Sequence, residues 1–178
     1  MRIVAGKYRN RRIHPPQGIE ARPTTDFAKE GLFNVLQHSV PLEGIRVLDL
    51  FAGTGNMSLE FLSRGAVEVV SVEQDRKLFA FIQRTIAELG EHGWRVVKDD
   101  VFKFLNGHRS KYDIIFADPP FHMEGIERIP NVVLQNAILA PDGALIIEHH
   151  EKTDLSAEAG YVQNRKYGQI VFSIFGGK

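Results

Sequence analysis

Residues 45–58 read Ile-Arg-Val-Leu-Asp-Leu-Phe-Ala-Gly-Thr-Gly-Asn-Met-Ser, and this stretch decides the fold class. Its first seven residues form a short, nearly continuous apolar run, the pattern of a strand buried on both faces of a parallel sheet. The run stops at a turn with two glycines, and residues 56–64 continue as a helix. Toward the C-terminus the alternation repeats, with strands over 67–73, 94–98, 112–117 and 143–149 and helices over 75–89, 101–106 and 123–139. Leu78, Phe79, Phe81, Ile82, Ile86 and Leu89 recur three or four apart and give the second of these helices an apolar face, with Asp75 as its cap. Pro130 should break or start the helix predicted at 123–139, because proline has no N–H to give to a helix interior. Residues 161–166 and 169–175, separated by Tyr167-Gly168, predict two closing strands joined by a hairpin-like turn. Toward the N-terminus, Thr24-Thr25-Asp26 offers a cap for a lead-in helix with Phe27, Leu32, Phe33, Val35 and Leu36 on its apolar face, closing by about Pro41. Residues 1–14 predict a short hairpin or arm, ended by Pro15, Pro16 and Gly18. The class is α/β: a mostly parallel sheet with helices on both faces and antiparallel strands at its end.

The carboxyl end of the first strand is where such sheets bind nucleotide-like ligands. Asp49-Leu50-Phe51-Ala52-Gly53-Thr54-Gly55 stands there, with small residues that let the backbone approach a ligand. Glu73, eighteen residues after Gly55 and followed by Gln74, ends the second strand, where a carboxylate can accept from both hydroxyls of a ribose. Asp99-Asp100 follows the third strand, and one of this pair can accept from an adenine amino group. These features suit a nicotinamide dinucleotide or S-adenosylmethionine. Against the dinucleotide, Ser58 replaces the third glycine of its fingerprint, and Asp49 has no role with a pyrophosphate. Asp118-Pro119-Pro120-Phe121, after the fourth strand, separates the two further. Two prolines stiffen a loop at the ligand edge. The Asp118 carboxylate and the Pro119 carbonyl can hold the hydrogens of an aryl amine, while Phe121 offers a stacking face to an extruded base.

Composition sets the class of partner. The 178 residues are 43% hydrophobic and 25% charged, ordinary for one globular domain, and contain no Cys, so disulfides, thiolate ligands and Cys nucleophiles are excluded. The charged N-terminus has no signal-peptide core and no 18-residue apolar run occurs, so a cytoplasmic protein without membrane contact is expected. Net charge is zero, yet residues 1–22 carry Arg2, Lys7, Arg9, Arg11, Arg12 and Arg22 against Glu20 alone. A basic arm over residues 1–22, ahead of a main domain over 23–178, predicts phosphate contacts through Arg2, Lys7, Arg9, Arg11 and Arg12, the competing reading being a solvated terminus. His149-His150 lacks further ligands at zinc spacing, so no metal is expected.

Taken together, DLFAGTG, the acid ending the second strand and DPPF resemble the amino-group methyltransferases. Arg2-Ile3-Val4-Ala5-Gly6, Arg22-Pro23-Thr24-Thr25-Asp26, Glu30, Leu32-Phe33-Asn34, Ser63-Arg64-Gly65-Ala66 and Gly168-Gln169 narrow this: over nearly its full length the chain resembles the RsmD family of bacterial 16S ribosomal RNA guanine-N2 methyltransferases. The resemblance implies a Rossmann-like methyltransferase fold with a seven-stranded sheet, and S-adenosylmethionine as cofactor. The cofactor would be held by Asp49, Phe51, Ala52, Gly53, Thr54 and Gly55, by Glu73 with Gln74, and by Asp100 with Val101. It further implies that Arg22 and Thr24 lie over the cofactor and that Asp118–Phe121 holds the guanine, with Asp118 also at the cofactor. The partner would be ribosomal RNA or the small-subunit ribonucleoprotein, met by a monomer. Ala5 and Asn10 stand where the family favours Gly, and Phe27 and Gly31 replace a usual Arg and Thr. A protein-glutamine or DNA-adenine methyltransferase, and a non-catalytic RNA-binding protein with a relic pocket, are the alternatives.

Overall fold

The computed structural model describes residues 2–15 and 25–176. Strands β1 (Arg46–Asp49), β2 (Glu68–Val72), β3 (Trp94–Val97), β4 (Tyr112–Ala117) and β5 (Leu139–His150) run parallel. β6 (Tyr161–Tyr167) and β7 (Ile170–Gly176) complete the sheet, β7 lying antiparallel between β5 and β6. The order is β3-β2-β1-β4-β5-β7-β6. The expected seven-stranded sheet with an antiparallel end is therefore present.

Five helices cover it: α1 (Asp26–Ser39), α2 (Asn56–Ser63), α3 (Arg76–Leu89), α4 (Val101–Gly107) and α5 (Arg128–Gln135). Alternation along the central strands sends Val47, Val69, Ile114 and Phe116 into one core with α1, α2 and α3. Leu48, Val70, Ile115 and Leu145 enter the other with Val101, Leu105, Ile129 and Val133 of α4 and α5. Each such side chain stabilises the fold by about 1.5–3 kcal/mol, which explains why the middle of β1 (Val47-Leu48) and most of β4 (Ile114–Ala117) are apolar. The chain winds outward from β1 to β3 and then returns to β4, so the crevice of the sheet opens between β1 and β4. Asp49 pairs with Phe116 there, which brings the residues after both strands together.

One element differs from expectation. The helix predicted over 123–139 spans only Arg128–Gln135, with Pro130 in its first turn, where the missing N–H has no helical partner to lose. Ala137 takes a left-handed φ of 51° and ends it. Ile138 and Leu139 extend the helical spacing in the sequence but are buried as the chain enters β5, where Leu139 pairs with Tyr112. Asp142, at φ 61°, lies in the irregular stretch before Ala144 resumes the register opposite Ile114.

The arm is no frayed terminus. A single antiparallel bridge, Arg2 with Arg12, closes it, and Ile3 and Ile13 are buried in the core beneath α1 and α3. Asn10 turns the arm at φ 67°, a conformation that Asn tolerates and Gly adopts freely. Wholly buried Glu60 of α2 holds the arm down: its carboxylate accepts from the amides of Val4 (2.8 Å) and Ala5 (3.1 Å), from Arg64 (2.9 Å) and from buried Lys29 (3.2 Å). Ser63 donates to the Ala5 carbonyl and accepts from the Tyr8 amide, and the Tyr8 hydroxyl donates to Glu91. The described part of the expected 1–22 segment thus packs as part of the main body. Gly31 leaves room for the Tyr167 ring, which a Cβ there would enter, and Phe27 meets that ring edge-on.

Candidate cofactor and target-base site

Two backbone bonds strap the glycine turn to its neighbours, Leu50 N–H to Phe116 at 2.8 Å and Ala52 N–H to Val72 at 3.0 Å, and a third, Gly55 N–H to Ala52 at 2.7 Å, closes the turn on itself. Its two glycines serve different ends. Both have left-handed φ, 56° at Gly53 and 75° at Gly55. Among the described residues a Cβ on Gly53 would meet nothing within 4 Å, whereas one on Gly55 would meet the Trp94 ring at 2.7 Å. Gly53 keeps space open above the turn; Gly55 admits Trp94 beneath it.

Glu73 is buried and ties the turn to α3, accepting from the Gly53 amide at 2.7 Å and the Asp75 amide at 2.8 Å. Asp75 caps α3 through the amides of Lys77 and Leu78. Burial raises the Glu73 carboxyl above its ordinary value, and the amide donors oppose this. Its remaining lone pairs are still available to hydroxyl donors.

Asp49 is 1% exposed, and its Oδ2 accepts from Ser58 at 2.6 Å. Behind it, Trp94 Nε1 donates to Ser71, and Ser71 and Ser58 bond at 2.7 Å. Ser58 gives its one hydrogen to Asp49, so Ser71 is the donor of that middle bond. The serine standing where a dinucleotide site has glycine therefore orients a carboxylate. Asp49 Oδ1 is buried and, among the described residues, has no partner at hydrogen-bond distance and angle, although the backbone amides of Phe51 and Ser58 face the carboxyl and ease its burial. Such an orphan costs about 1–3 kcal/mol and fits a group that donates to it on binding. Burial is the main cause that pushes Asp49 up to about 7, with the Glu73 charge adding and Ser58 opposing.

Asp118 follows β4, and because Ala117 pairs with Ile147 its neighbour across the ladder is Glu148 of β5. Burial first, then Glu148, then Asp49, raise the Asp118 carboxyl well above the ordinary carboxylate range. Pro119 is buried and Pro120 exposed, and a turn closes when the Met123 amide donates to Pro120. Phe121 is 62% exposed, its ring edge-on to His150 at 5.2 Å. Sequence reasoning missed Glu148. Its signal was an acid inside the apolar strand GALIIEHH, but only the β4–β5 register brings it beside Asp118.

The other expected site residues divide. Phe51, Ala52 and Thr54 lie in the turn, while Gln74 is exposed beside Glu73. Val101 is buried, and Asp100 is exposed, its side chain capping α4 through the Lys103 amide. Arg22 and Thr24 lie outside the described residues. In the arm, Arg2 pairs with Asp26 and Lys7 with Glu91, whereas Arg9, Arg11 and Arg12 are exposed and make no ion pair among the described residues.

The chemistry of this crevice is selective. Asp49, Glu73, Asp118 and Glu148 crowd acidic groups around open space, which opposes a pyrophosphate and favours a cationic ligand with donor groups. The orphaned Asp49 oxygen suits a cationic donor such as S-adenosylmethionine rather than a pyrophosphate, and the space over Gly53 leaves room for a nucleoside ligand.

Comparison with known proteins agrees with this geometry. The family described as Conserved hypothetical protein 95 matches residues 1–176. The Ribosomal RNA small subunit methyltransferase D of Escherichia coli is 31% identical, over 98% of this chain and 89% of that protein. A solved structure of a hypothetical protein from Thermus thermophilus superposes with a TM-score of 0.86 at 27% identity, covering 99% of both chains. The fold alone is shared with a 16S rRNA N2 methyltransferase of Thermus thermophilus solved with AdoMet and guanosine: its TM-score is 0.72 at 24% identity, over 89% of this chain and 45% of that one. With a Rossmann-like methyltransferase fold and a family match over almost its whole length, this chain belongs to the RsmD family of ribosomal RNA methyltransferases.

Proposed function

We propose that the protein transfers a methyl group from S-adenosylmethionine to the exocyclic N2 amine of a guanine in small-subunit ribosomal RNA. The observation that carries this reading is the buried Asp49 with its unpartnered Oδ1, set beside Asp118 at the carboxyl edge of the sheet. When bound, the cofactor supplies an electrophilic methyl on a sulfonium centre. The turn Asp49–Gly55, Glu73 with Gln74, and Asp100 with Val101 hold it. Asp118 and the Pro119 carbonyl accept the amine hydrogens and aim its lone pair, and Phe121 stacks on the base. Orientation of this kind contributes up to roughly 7–11 kcal/mol in well-positioned reactions. The carboxyls of Asp49, Asp118 and Glu148 favour the positive charge on the amine nitrogen until its proton departs. Small-subunit RNA incubated with labelled cofactor and digested to nucleosides should yield N2-methylguanosine. Label in adenosine, in protein or in nothing would refute the reading.

Two predictions concern the cofactor. Gly53→Asn should weaken cofactor binding at least tenfold by calorimetry while melting stays within a few degrees of the parent, because its side chain meets no described residue and Asn tolerates the left-handed φ of 56°. Gly55→Val should instead lower the melting temperature, since it meets Trp94. Equal cofactor affinity in folded Gly53→Asn would mean that the space above the turn is not the pocket.

The second follows from Asp49, raised from 3.8 to about 7. A carboxyl raised on folding stabilises the fold fully below its unfolded value, and that contribution is lost as pH rises through the folded one. The ligand-free protein should therefore lose a few kcal/mol between pH 4 and 7, at about 1.4 kcal/mol for each pH unit crossed in that window. Asp49→Asn should flatten the curve. A cation binding beside ionised Asp49 lowers its value again, so cofactor affinity should rise with pH across the same window, with proton release near pH 6 seen by calorimetry in buffers of different ionisation heat. Proton uptake at that pH would contradict the assignment.

A further inference from the structure

A groove of about 460 Å³ lies away from the crevice, lined by Arg11, Arg12 and His14 of the arm and by Phe81, Arg84 and Glu88 of α3. Its floor is firm, because Ile13 and Phe81 are both buried in the core and Glu60 fixes the start of the arm. Arg11, Arg12 and Arg84 are exposed and make no ion pair among the described residues, in contrast to Arg2 and Lys7. Three guanidinium groups from two elements more than seventy residues apart thus converge on one channel. Guanidinium forks match the oxygens of a phosphodiester, and three arginines against the one acid Glu88 leave a surplus of positive charge that disfavours a cationic partner.

The position of the groove says which part of a nucleic acid it meets. α3 packs on β3, at one edge of the sheet. The Asp118–Phe121 loop follows β4, three strand positions inward. At ~4.8 Å per strand spacing this is a lateral distance of ~14 Å before the helix layer is added, more than one nucleotide covers. The groove therefore cannot hold the phosphates of a base seated at Asp118.

We infer that this groove is a docking track for the phosphodiester backbone flanking the target nucleotide in structured RNA, with Arg11, Arg12 and Arg84 as its phosphate-binding residues and Glu88 as the acid that limits it. This rests on the RNA-methylating function proposed above. It assigns a binding role to α3 and narrows the contribution of the arm to the side chains that carry free charge.

The test uses the full chain and a transcript of small-subunit ribosomal RNA, with binding followed by anisotropy across a potassium chloride series. Arg84→Ala should weaken binding roughly three- to tenfold and reduce the slope of log K against log salt by about one. Adding Arg11→Ala and Arg12→Ala should remove about two more. Glu88→Lys should act oppositely, tightening binding and steepening the slope. In methylation assays Arg84→Ala should raise KM for RNA with kcat unchanged, whereas a fold defect would also lower melting and cofactor affinity. If the parent binds and methylates the transcript but neither Arg84→Ala nor Glu88→Lys alters the slope, the groove proposal is overturned and the proposed function stands. If the parent shows no salt-dependent RNA binding, both fall. Displacement of the transcript by polyglutamate at equal charge concentration would mark the groove as a site for an acidic peptide instead and overturn the RNA assignment.

Discussion

Folded Asp118→Ala should transfer methyl groups roughly 30- to 1,000-fold more slowly in a single turnover at saturating cofactor and RNA, a loss of about 2–4 kcal/mol. Both ligands should bind near parent affinity. The reason is that a contact to the amine strengthens as the nitrogen leaves the plane of the base ring and becomes cationic, so it acts on the transition state and hardly on the ground state. Asp118→Asn keeps an acceptor oxygen and loses the charge, and should fall between the two. The electrostatics add a pH signature. Burial, Glu148 and Asp49 raise the Asp118 carboxyl, so the parent rate should climb with pH along a limb lying above the ordinary carboxylate range. Glu148→Gln removes one of these charges and should move the limb to lower pH, and Asp118→Asn should abolish it. Phe121→Ala should differ in kind: losing a stacking face costs about 1–3 kcal/mol per base and should appear in RNA binding or base extrusion. A normal single-turnover rate in Asp118→Ala would sink the mechanism, even in an active methyltransferase.

Glu60→Ala should lower the free energy of unfolding by about 3–5 kcal/mol. The residue is wholly buried and answers four donors, so its loss strands the Lys29 ammonium and frees the amides of Val4 and Ala5. Lys29 has few alternatives, since among the described residues only the Arg2 carbonyl (2.6 Å) and Asn56 (3.3 Å) remain within reach. Burial already lowers the Lys29 ammonium, with Glu60 opposing, so without Glu60 it should shed its proton. Glu60→Gln retains an acceptor and should cost less than Glu60→Ala. Pairing Glu60→Gln with Lys29→Met should recover part of the loss, because the Lys29 charge is then gone and an acceptor remains for the amides of Val4 and Ala5. Denaturant unfolding measures the energies, and hydrogen exchange at the amides of Val4 and Ala5 reports whether the arm lets go first. A cost under about 1 kcal/mol for Glu60→Ala would mean that the cage contributes little.

Most of the site's backbone was legible in the sequence. Asp49–Gly55, Glu73 and Asp118–Phe121 each follow a strand whose apolar run is evident, and parallel sheets bind ligands at that edge. The structure adds a role at two positions and shortens one element. Gly55, expected in the ligand turn, also makes room for the Trp94 ring. Asp100, expected at an adenine, also caps α4 through one carboxylate oxygen. The helix over 123–139 was overextended because Ile138 and Leu139 continue a helical spacing that the β4–β5 pairing overrides.

By itself the sequence determined the α/β class, the strand ends that carry the chemistry and the surplus of positive charge before residue 23. These follow from periodicity, glycine and proline geometry and charge counts, all properties of neighbouring residues. Only the tertiary structure decided that Glu148 stands beside Asp118, that Ser58 orients Asp49 and leaves one oxygen without a donor, and that Glu60 binds the arm into the core. It also decided which arginines keep free charge and that Arg84 joins them. The reason is physical: burial and Coulomb interaction depend on distance in space, and nothing in a local pattern records which acid a distant strand or helix brings within reach of a base or another acid.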